Sequence, residues 1–384
     1  MKKPMMALIC AMMAFSACNK DDDNPITTEE ETANPPKEEV MDPPEVLTGV
    51  FRDSEVQGLS FSTATQNGTT NDKGEFSFLE GETITFTVGE LTLGSTIADT
   101  LITPISLAKA IDANATIASP LAQNIAALLQ TLDSDNDHSN GIIIPQNIAS
   151  AIGVQNIDFT QPIESTLADI VLSVAQNQGP ALQIVYPGQA ADNMAAALNI
   201  DYDAPPNFAI SHLMPALKAF FQGYYKQHTP ASAVYKNTFD VEGRLISTDI
   251  ISRFSGNMLY SFRFSGYADD GQPVTGTYTS FNANSRFGSA VLNASFEYGL
   301  ELGYDEDHRL TEFGELFNGQ MSNLTQFTTF DEDNRPLSYF RDLSQEGEDL
   351  EFTITIDATY ENGLINTSRR NFYQEYDQGG SLVL

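Results

Sequence analysis

Between Leu350 and Tyr360 every second residue is apolar: Leu350, Phe352, Ile354, Ile356, Ala358 and Tyr360 alternate with Glu351, Thr353, Thr355, Asp357 and Thr359. Ala290, Leu292, Ala294, Phe296, Tyr298, Leu300 and Leu302 follow the same rule. A period of two with a polar opposite face fits an antiparallel strand that buries one side and wets the other. The chain holds 24 Phe and 14 Tyr, most of them after Ala233, where apolar stripes of helical period are missing. A loose repeat punctuates this region. Phe239-Asp-Val-Glu-Gly-Arg-Leu, Tyr267-Ala-Asp-Asp-Gly-Gln-Pro, Tyr304-Asp-Glu-Asp-His-Arg-Leu, Phe330-Asp-Glu-Asp-Asn-Arg-Pro and Tyr360-Glu-Asn-Gly-Leu share one plan. An aromatic ends a strand, acids and a Gly, Asn or His turn the chain, and often an Arg opens the return. Starts roughly 30 residues apart leave room for two strands and their turns per unit. Residues 230–384 are therefore expected to form an aromatic-rich antiparallel meander or sandwich of about ten strands.

This plan resembles the tyrosine-aspartate repeats of secreted bacterial β-rich proteins, with looser spacing. A second resemblance lies near the other end. Leu59 and Phe61, then Phe76 and Phe78, then Ile84, Phe86 and Val88 are spaced as strands around the turns Asn71-Asp-Lys-Gly74 and Gly81-Glu82. The string Gly68-Thr-Thr-Asn71-Asp-Lys-Gly74-Glu-Phe76-Ser-Phe78 resembles the hairpin of carboxypeptidase-regulatory-like (prealbumin-like) β-sandwiches. That resemblance implies a small sandwich over residues 47–103, a module that in its relatives serves mostly as a spacer or adhesive unit.

Between these two β regions, residues 104–229 read as helices. Ser119-Pro120 is a cap followed by proline at the first helical position. Leu121, Ile125, Leu128, Leu129 and Leu132 then form one apolar stripe. Ile163, Leu167, Ile170, Val171 and Val174 repeat the spacing, and Leu213, Leu217, Phe220, Phe221 and Tyr224 do so again. The overall expectation is α+β and multidomain: a β-sandwich, a helical middle and a large antiparallel sheet.

The first residues speak to location. Lys2 and Lys3 precede an apolar run, Met5–Ala14, too short to span a bilayer, and the run ends at Phe15-Ser16-Ala17-Cys18. That tetrad resembles the lipobox of bacterial lipoproteins, which implies that residues 1–18 are a signal and that Cys18 carries the acyl chains. Lys20, Asp21, Asp22 and Asp23 resemble the acidic export signal of Bacteroidetes surface lipoproteins. The resemblance implies an outer-membrane protein held by lipid and facing the cell exterior; a solvated tether on a periplasm-facing protein is the other reading. Residues 19–46, rich in proline and acids, have too little apolar surface to fold and are read as a tether.

Charge and composition narrow the function. Asp and Glu number 52 against 19 Lys and Arg, a formal net charge of −33, which repels phosphate backbones and excludes nucleic acid as a partner. The two cysteines, Cys10 and Cys18, fall in the signal and at the lipobox, so no disulfide or thiolate metal site is expected.

The most specific polar cluster is Asp133-Ser-Asp135-Asn-Asp137-His138-Ser-Asn140-Gly141. Asp133, Asp135 and Asp137 match the first three ligand positions of an EF-hand loop, but His138 stands at its glycine and Ile144 at its final glutamate. Calcium held by these residues with Asn140 is one reading. A polar turn is the other. No HExxH, GxSxG or P-loop string occurs. A hydrolase using paired carboxylates remains the alternative to a non-enzymatic binding, adhesion or scaffolding protein with a glycan or surface-protein partner.

Overall fold

A computed structural model describes residues 44–153, 156–225, 232–240, 242–281, 295–342, 350–361 and 364–376. The chain is α+β. Short strands come first: β1 (Leu47–Phe51), β2 (Val56–Gln57), β3 (Ser60–Ser62), β4 (Asn67–Thr69), β5 (Glu75–Phe78), β6 (Thr83–Val88), β7 (Leu91–Ile97) and β8 (Leu101–Ile102). They build two small sheets, ordered β5-β1-β8 and β4-β3-β6-β7. Phe51 and Phe76 of the first sheet meet Phe86 of the second edge to face, with ring centroids 4.8 and 5.3 Å apart. The alternation seen in the sequence is thus the inner face of a small sandwich, with Ile84, Phe86 and Val88 fully enclosed.

The helical middle follows: α1 (Pro104–Lys109), α2 (Pro120–Thr131), a short strand β9 (Ile142–Ile143), α3 (Gln146–Ile152), α4 (Glu164–Gln176), α5 (Pro187–Leu198) and α6 (Met214–Tyr225), the last entered through a π-turn at Ala209–Leu213. The stripes of α2 and α4 are buried as expected, from Ile125 to Leu132 and from Ile163 to Val174. They do not form a core of their own. One continuous apolar cluster joins them to the phenylalanines of the sandwich. β9 completes the union by pairing in parallel with β2, Val56 opposite Ile142.

The third stripe has a different destination. Strands β10 (Ala233–Phe239), β11 (Leu245–Ser252), β12 (Met258–Tyr267), β13 (Pro273–Ser280), β14 (Phe296–Tyr304), β15 (Leu310–Phe317), β16 (Gln320–Phe330), β17 (Pro336–Asp342), β18 (Leu350–Glu361) and β19 (Leu364–Tyr376) form one ten-stranded sheet in sequential order. Every neighbouring pair is antiparallel. Helix α6 packs into this sheet: Phe221 lies 4.6 Å from Tyr260 and Phe220 lies 5.1 Å from Phe313, ring to ring. Phe220 also reaches Tyr339 at 6.4 Å, so one helix touches strands β12, β15 and β17, and the sheet curves around it. By its core, α6 belongs to the C-terminal sheet rather than to the helical middle in which its sequence falls. A stripe says which side of a helix is buried, not what buries it.

The repeated aromatic–acid string is a repeated hairpin. In three of them an aspartate (Asp240, Asp305, Asp331) takes the backbone N–H groups two and four residues ahead on one oxygen, at 2.8–3.1 Å. Its other oxygen accepts from Nε of Arg244, Arg309 or Arg335 at 2.7–2.8 Å. The fourth turn position is left-handed in all of them, with φ of 80° at Gly243, 62° at His308 and 58° at Asn334. That is a type I turn closed by a left-handed residue, which is why Gly, Asn or His recurs there. The arginines tie neighbours together: Arg244 lies 5.0 Å over the Tyr267 ring and Arg309 lies 5.1 Å over that of Phe330. Replacing Asp331 with Ala removes the acceptor for two backbone donors and for Arg335, and is expected to cost about 1–2 kcal/mol in urea unfolding. The second such string carries Ala268 in place of the aspartate, and the turn closes there through the backbone, Gly271 and the Asp270 carboxylate, which accepts from the Gln272 N–H at 3.1 Å.

Candidate ligand-binding site

Cys18, Lys20, Asp21, Asp22 and Asp23 lie outside the described residues. Among the described residues no helix is long and apolar enough to cross a membrane.

The Asp133–Gly141 loop is described, and its carboxylates serve the backbone. Asp133 is fully buried, and its Oδ1 accepts from the Ile143 N–H at 2.9 Å, fixing the strand that pairs with β2. Asp135 accepts from the Asp137 N–H at 2.9 Å and from Asn140 Nδ2 at 3.2 Å. Asn140 thus presents its amide nitrogen, not an oxygen, to the loop centre. Asp137 caps the short 3₁₀ turn at His138–Asn140 through Ser139. Burial pushes the Asp133 carboxyl up to about 6. Among the described residues no group of three or more His, Cys, Asp or Glu is arranged to hold a metal ion. Through the Asp133–Ile143 hydrogen bond the loop also delivers β9.

His212 and His308 also have structural neighbours. Phe208 stacks on His212 at 5.5 Å and meets His308 at 4.5 Å, while His308 Nδ1 lies 2.9 Å from Asp270. These contacts hold the π-turn before α6 against the hairpin turns of the sheet.

A cavity of about 210 Å³ opens where the helical middle meets the C-terminal sheet. Helix α6 supplies Met214 and Lys218, β10 supplies Val234 and Tyr235, α4 supplies Val171, and the segment before α5 supplies Leu182 and Ile184. Each is placed by the patterns already described. The α6 stripe turns Phe220 and Phe221 into the sheet, leaving Lys218 on the flank of the helix beside β10. Alternation on β10 sends Tyr235 toward α6 and Val234 toward α4, where Val234 joins the helical core.

The polar chemistry of this cavity is unusual for so acidic a chain. Lys236, Arg244, Arg263, Arg309, Arg335 and Arg341 all sit against carboxylates. Lys218 does not: among the described residues no carboxylate pairs with it, and its Nζ rests 5.8 Å from the centre of the Tyr235 ring. Burial lowers its pKa from the usual lysine value. The Tyr235 hydroxyl is enclosed and has no hydrogen-bond partner among the described residues; burial, with a smaller contribution from Tyr260, raises its pKa. A buried hydroxyl left in that state costs about 1–3 kcal/mol. Arg253, also buried, donates from Nη2 to the Leu182 carbonyl at 3.2 Å on the same wall. Asp333 stands at the mouth, held by Arg335 at 2.9 Å.

None of Lys218, Tyr235 and Arg253 stands out in the sequence. Lys218 follows Leu217 inside an amphipathic stripe, as many solvated lysines do, and Tyr235 opens one aromatic-rich strand among ten. Only the packing of α6 beside β10 brings them together. A scan against protein-family models and a comparison with curated proteins return no match for this chain.

Proposed function

We propose that this chain is a lipid-anchored protein of the outer membrane that binds a small ligand in the cavity between its helical middle and its C-terminal sheet. Acyl chains on Cys18 hold it to the membrane, and the acidic run Asp21–Asp23 directs it outward. The single observation that carries the binding reading is the cavity itself, whose wall mixes apolar side chains with a few polar ones and holds a lysine that no carboxylate pairs with among the described residues. Concave, mostly apolar sites with a few convergent polar groups are where proteins hold small molecules. Glycoside chemistry would require two carboxylates flanking the substrate, whereas among the described residues this cavity is lined by a single one, Asp333.

Two measurements test this. Palmitate labelling should disappear in Cys18→Ala, and that variant should leave the membrane fraction; labelling that persists would remove the anchor from the reading. Native mass spectrometry of the full-length Cys18→Ala chain should show a small co-purifying mass. Ile184→Trp, at a half-buried wall position, should abolish it. A parent chain that carries no adduct and takes up none from an envelope extract would count against the cavity as a binding site.

A further inference from the structure

The cavity also holds a reactive group, an inference that rests on the binding reading above. Most polar groups on its mixed wall are already engaged. Arg335 holds Asp333 at 2.9 Å, and Arg253 donates to the Leu182 carbonyl. The Tyr186 hydroxyl accepts from Asn237 Nδ2 at 2.7 Å, and burial raises its pKa. The Tyr235 hydroxyl is sealed beneath the surface of the wall. Guanidinium groups stay protonated, buried phenols keep their protons and the Gln183 amide is inert, so none of these is a nucleophile at neutral pH.

Lys218 differs on each count. No carboxylate pairs with it among the described residues, and its side chain is half-buried, with Nζ not among the sealed polar atoms. Val171, Ile184 and Met214 present hydrocarbon where an ammonium would need water. Burial lowers the lysine pKa, so a larger share of Lys218 is the neutral amine at neutral pH. The facing elements do little to restore the charge. Asp333, on the turn between β16 and β17, is engaged by Arg335, and Arg253, after β11, is itself a cation. The Tyr235 ring of β10, at 5.8 Å, attracts an ammonium weakly and gives it no acceptor.

A neutral lysine in such a wall condenses with carbonyl compounds. Its nitrogen attacks the carbonyl carbon, two protons pass from nitrogen to the carbonyl oxygen, and that oxygen leaves as water. A C=N bond remains, and no oxidant or reductant is consumed. We propose that Lys218 is a nucleophilic amine that captures small aldehydes entering the cavity as a reversible imine. The volume of about 210 Å³ leaves room for a short aldehyde beside the lysine.

Butanal with cyanoborohydride at neutral pH, which reduces an imine to a stable secondary amine, tests this on the full-length Cys18→Ala chain. Peptide mapping is expected to show Lys218 alkylated at least about tenfold faster than the exposed Lys73 and Lys109. Lys218→Arg keeps the cation and removes the nucleophile, so it should leave only the slow labelling of surface lysines while circular dichroism shows the fold retained. Ile184→Trp, which fills the cavity, should bring Lys218 down to the surface rate. If Lys218→Arg fails to fold, the mapped preference in the parent chain and its loss in Ile184→Trp decide the matter. A preference that survives in Ile184→Trp would place the reactivity outside the cavity and overturn the proposal. Lys218 labelled no faster than Lys73 and Lys109 in the parent chain would overturn it as well. The co-purifying mass and its loss in Ile184→Trp, read without aldehyde, would then decide the binding reading separately.

Discussion

The variant Asp53→Asn should be more stable than the parent chain at pH 8 and nearly equal to it at pH 4. Asp53 is completely enclosed between the sandwich and the helices, and burial pushes its carboxyl up to about 8, only partly opposed by Gln130. Gln130 Nε2 reaches both carboxyl oxygens at 3.2 and 3.3 Å and also the Ala190 carbonyl at 3.0 Å, while Asn193 holds Gln130 Oε1 at 2.8 Å. The group is therefore neutral in the folded chain at neutral pH and ionised in the unfolded one. Between the unfolded value of 3.8 and about 8 the folded state binds the extra proton. Stability from this group is complete below the unfolded value and is lost as pH rises through the folded one, at up to about 1.4 kcal/mol per pH unit. Asparagine copies the shape of the neutral acid and cannot ionise, so the gap between variant and parent should open to several kcal/mol by pH 8. Asp133 and Glu164, raised by burial as well, tilt the whole profile in the same direction. Taking the difference between the two chains isolates Asp53. Parallel urea-derived profiles for the two chains from pH 4 to 8 would show that Asp53 is not neutral in the fold.

Asp53 illustrates which parts of this molecule were legible in its residues. Patterns with strong contrast translated directly. The stripes Leu121–Leu132, Ile163–Val174 and Leu213–Tyr224 marked α2, α4 and α6, and the alternation at Phe296–Leu302 and Leu350–Tyr360 marked β14 and β18. The recurring aromatic–acid–Arg string marked hairpins because its chemistry is local: one aspartate satisfies donors within four residues of itself. Helix α5 escaped notice because its buried face is Ala190, Ala191, Met194 and Ala195, which barely differs in hydropathy from its surroundings. Non-local chemistry was the harder part. Asp133, Asp135 and Asp137 carry the spacing of a cation loop, yet Asp133 is claimed by a strand ten residues ahead that itself pairs with β2 more than eighty residues back. Lys218 and Tyr235 come to line one cavity only because α6 leaves the helical middle and enters the sheet. No spacing along the chain encodes that step.

The second large effect is expected inside the curved sheet, where Glu315 of β15 faces Arg341 of β17. Register explains the meeting: Glu315 is opposite Leu300 and Phe313 opposite Leu302, so Glu315 shares the inner face with residues of the core. Thr325 is opposite both Phe313 and Arg341, which brings the arginine to the same side. The two side chains are 3% and 5% exposed and form an ion pair. The Tyr278 hydroxyl donates to Glu315, Arg341 Nη1 donates to Thr325 Oγ1 at 3.1 Å, and the guanidinium lies 5.0 Å over the Phe220 ring of α6. This pair therefore links β13, β15, β16 and β17 to the helix at their centre. Desolvating two charges consumes much of their attraction, so the pair contributes little net stability, whereas removing one partner strands the other charge in the core. Arg341→Met should cost about 3–5 kcal/mol in urea unfolding, well above the value expected for Asp331→Ala at the hairpin surface. Glu315→Gln combined with Arg341→Met should recover a large part of that loss, since the glutamine amide can still accept from Tyr278 and leaves no charge behind. A double variant as unstable as the sum of its parents would mean that the two residues act independently, and the sheet would then owe its curvature around α6 to the aromatic contacts alone.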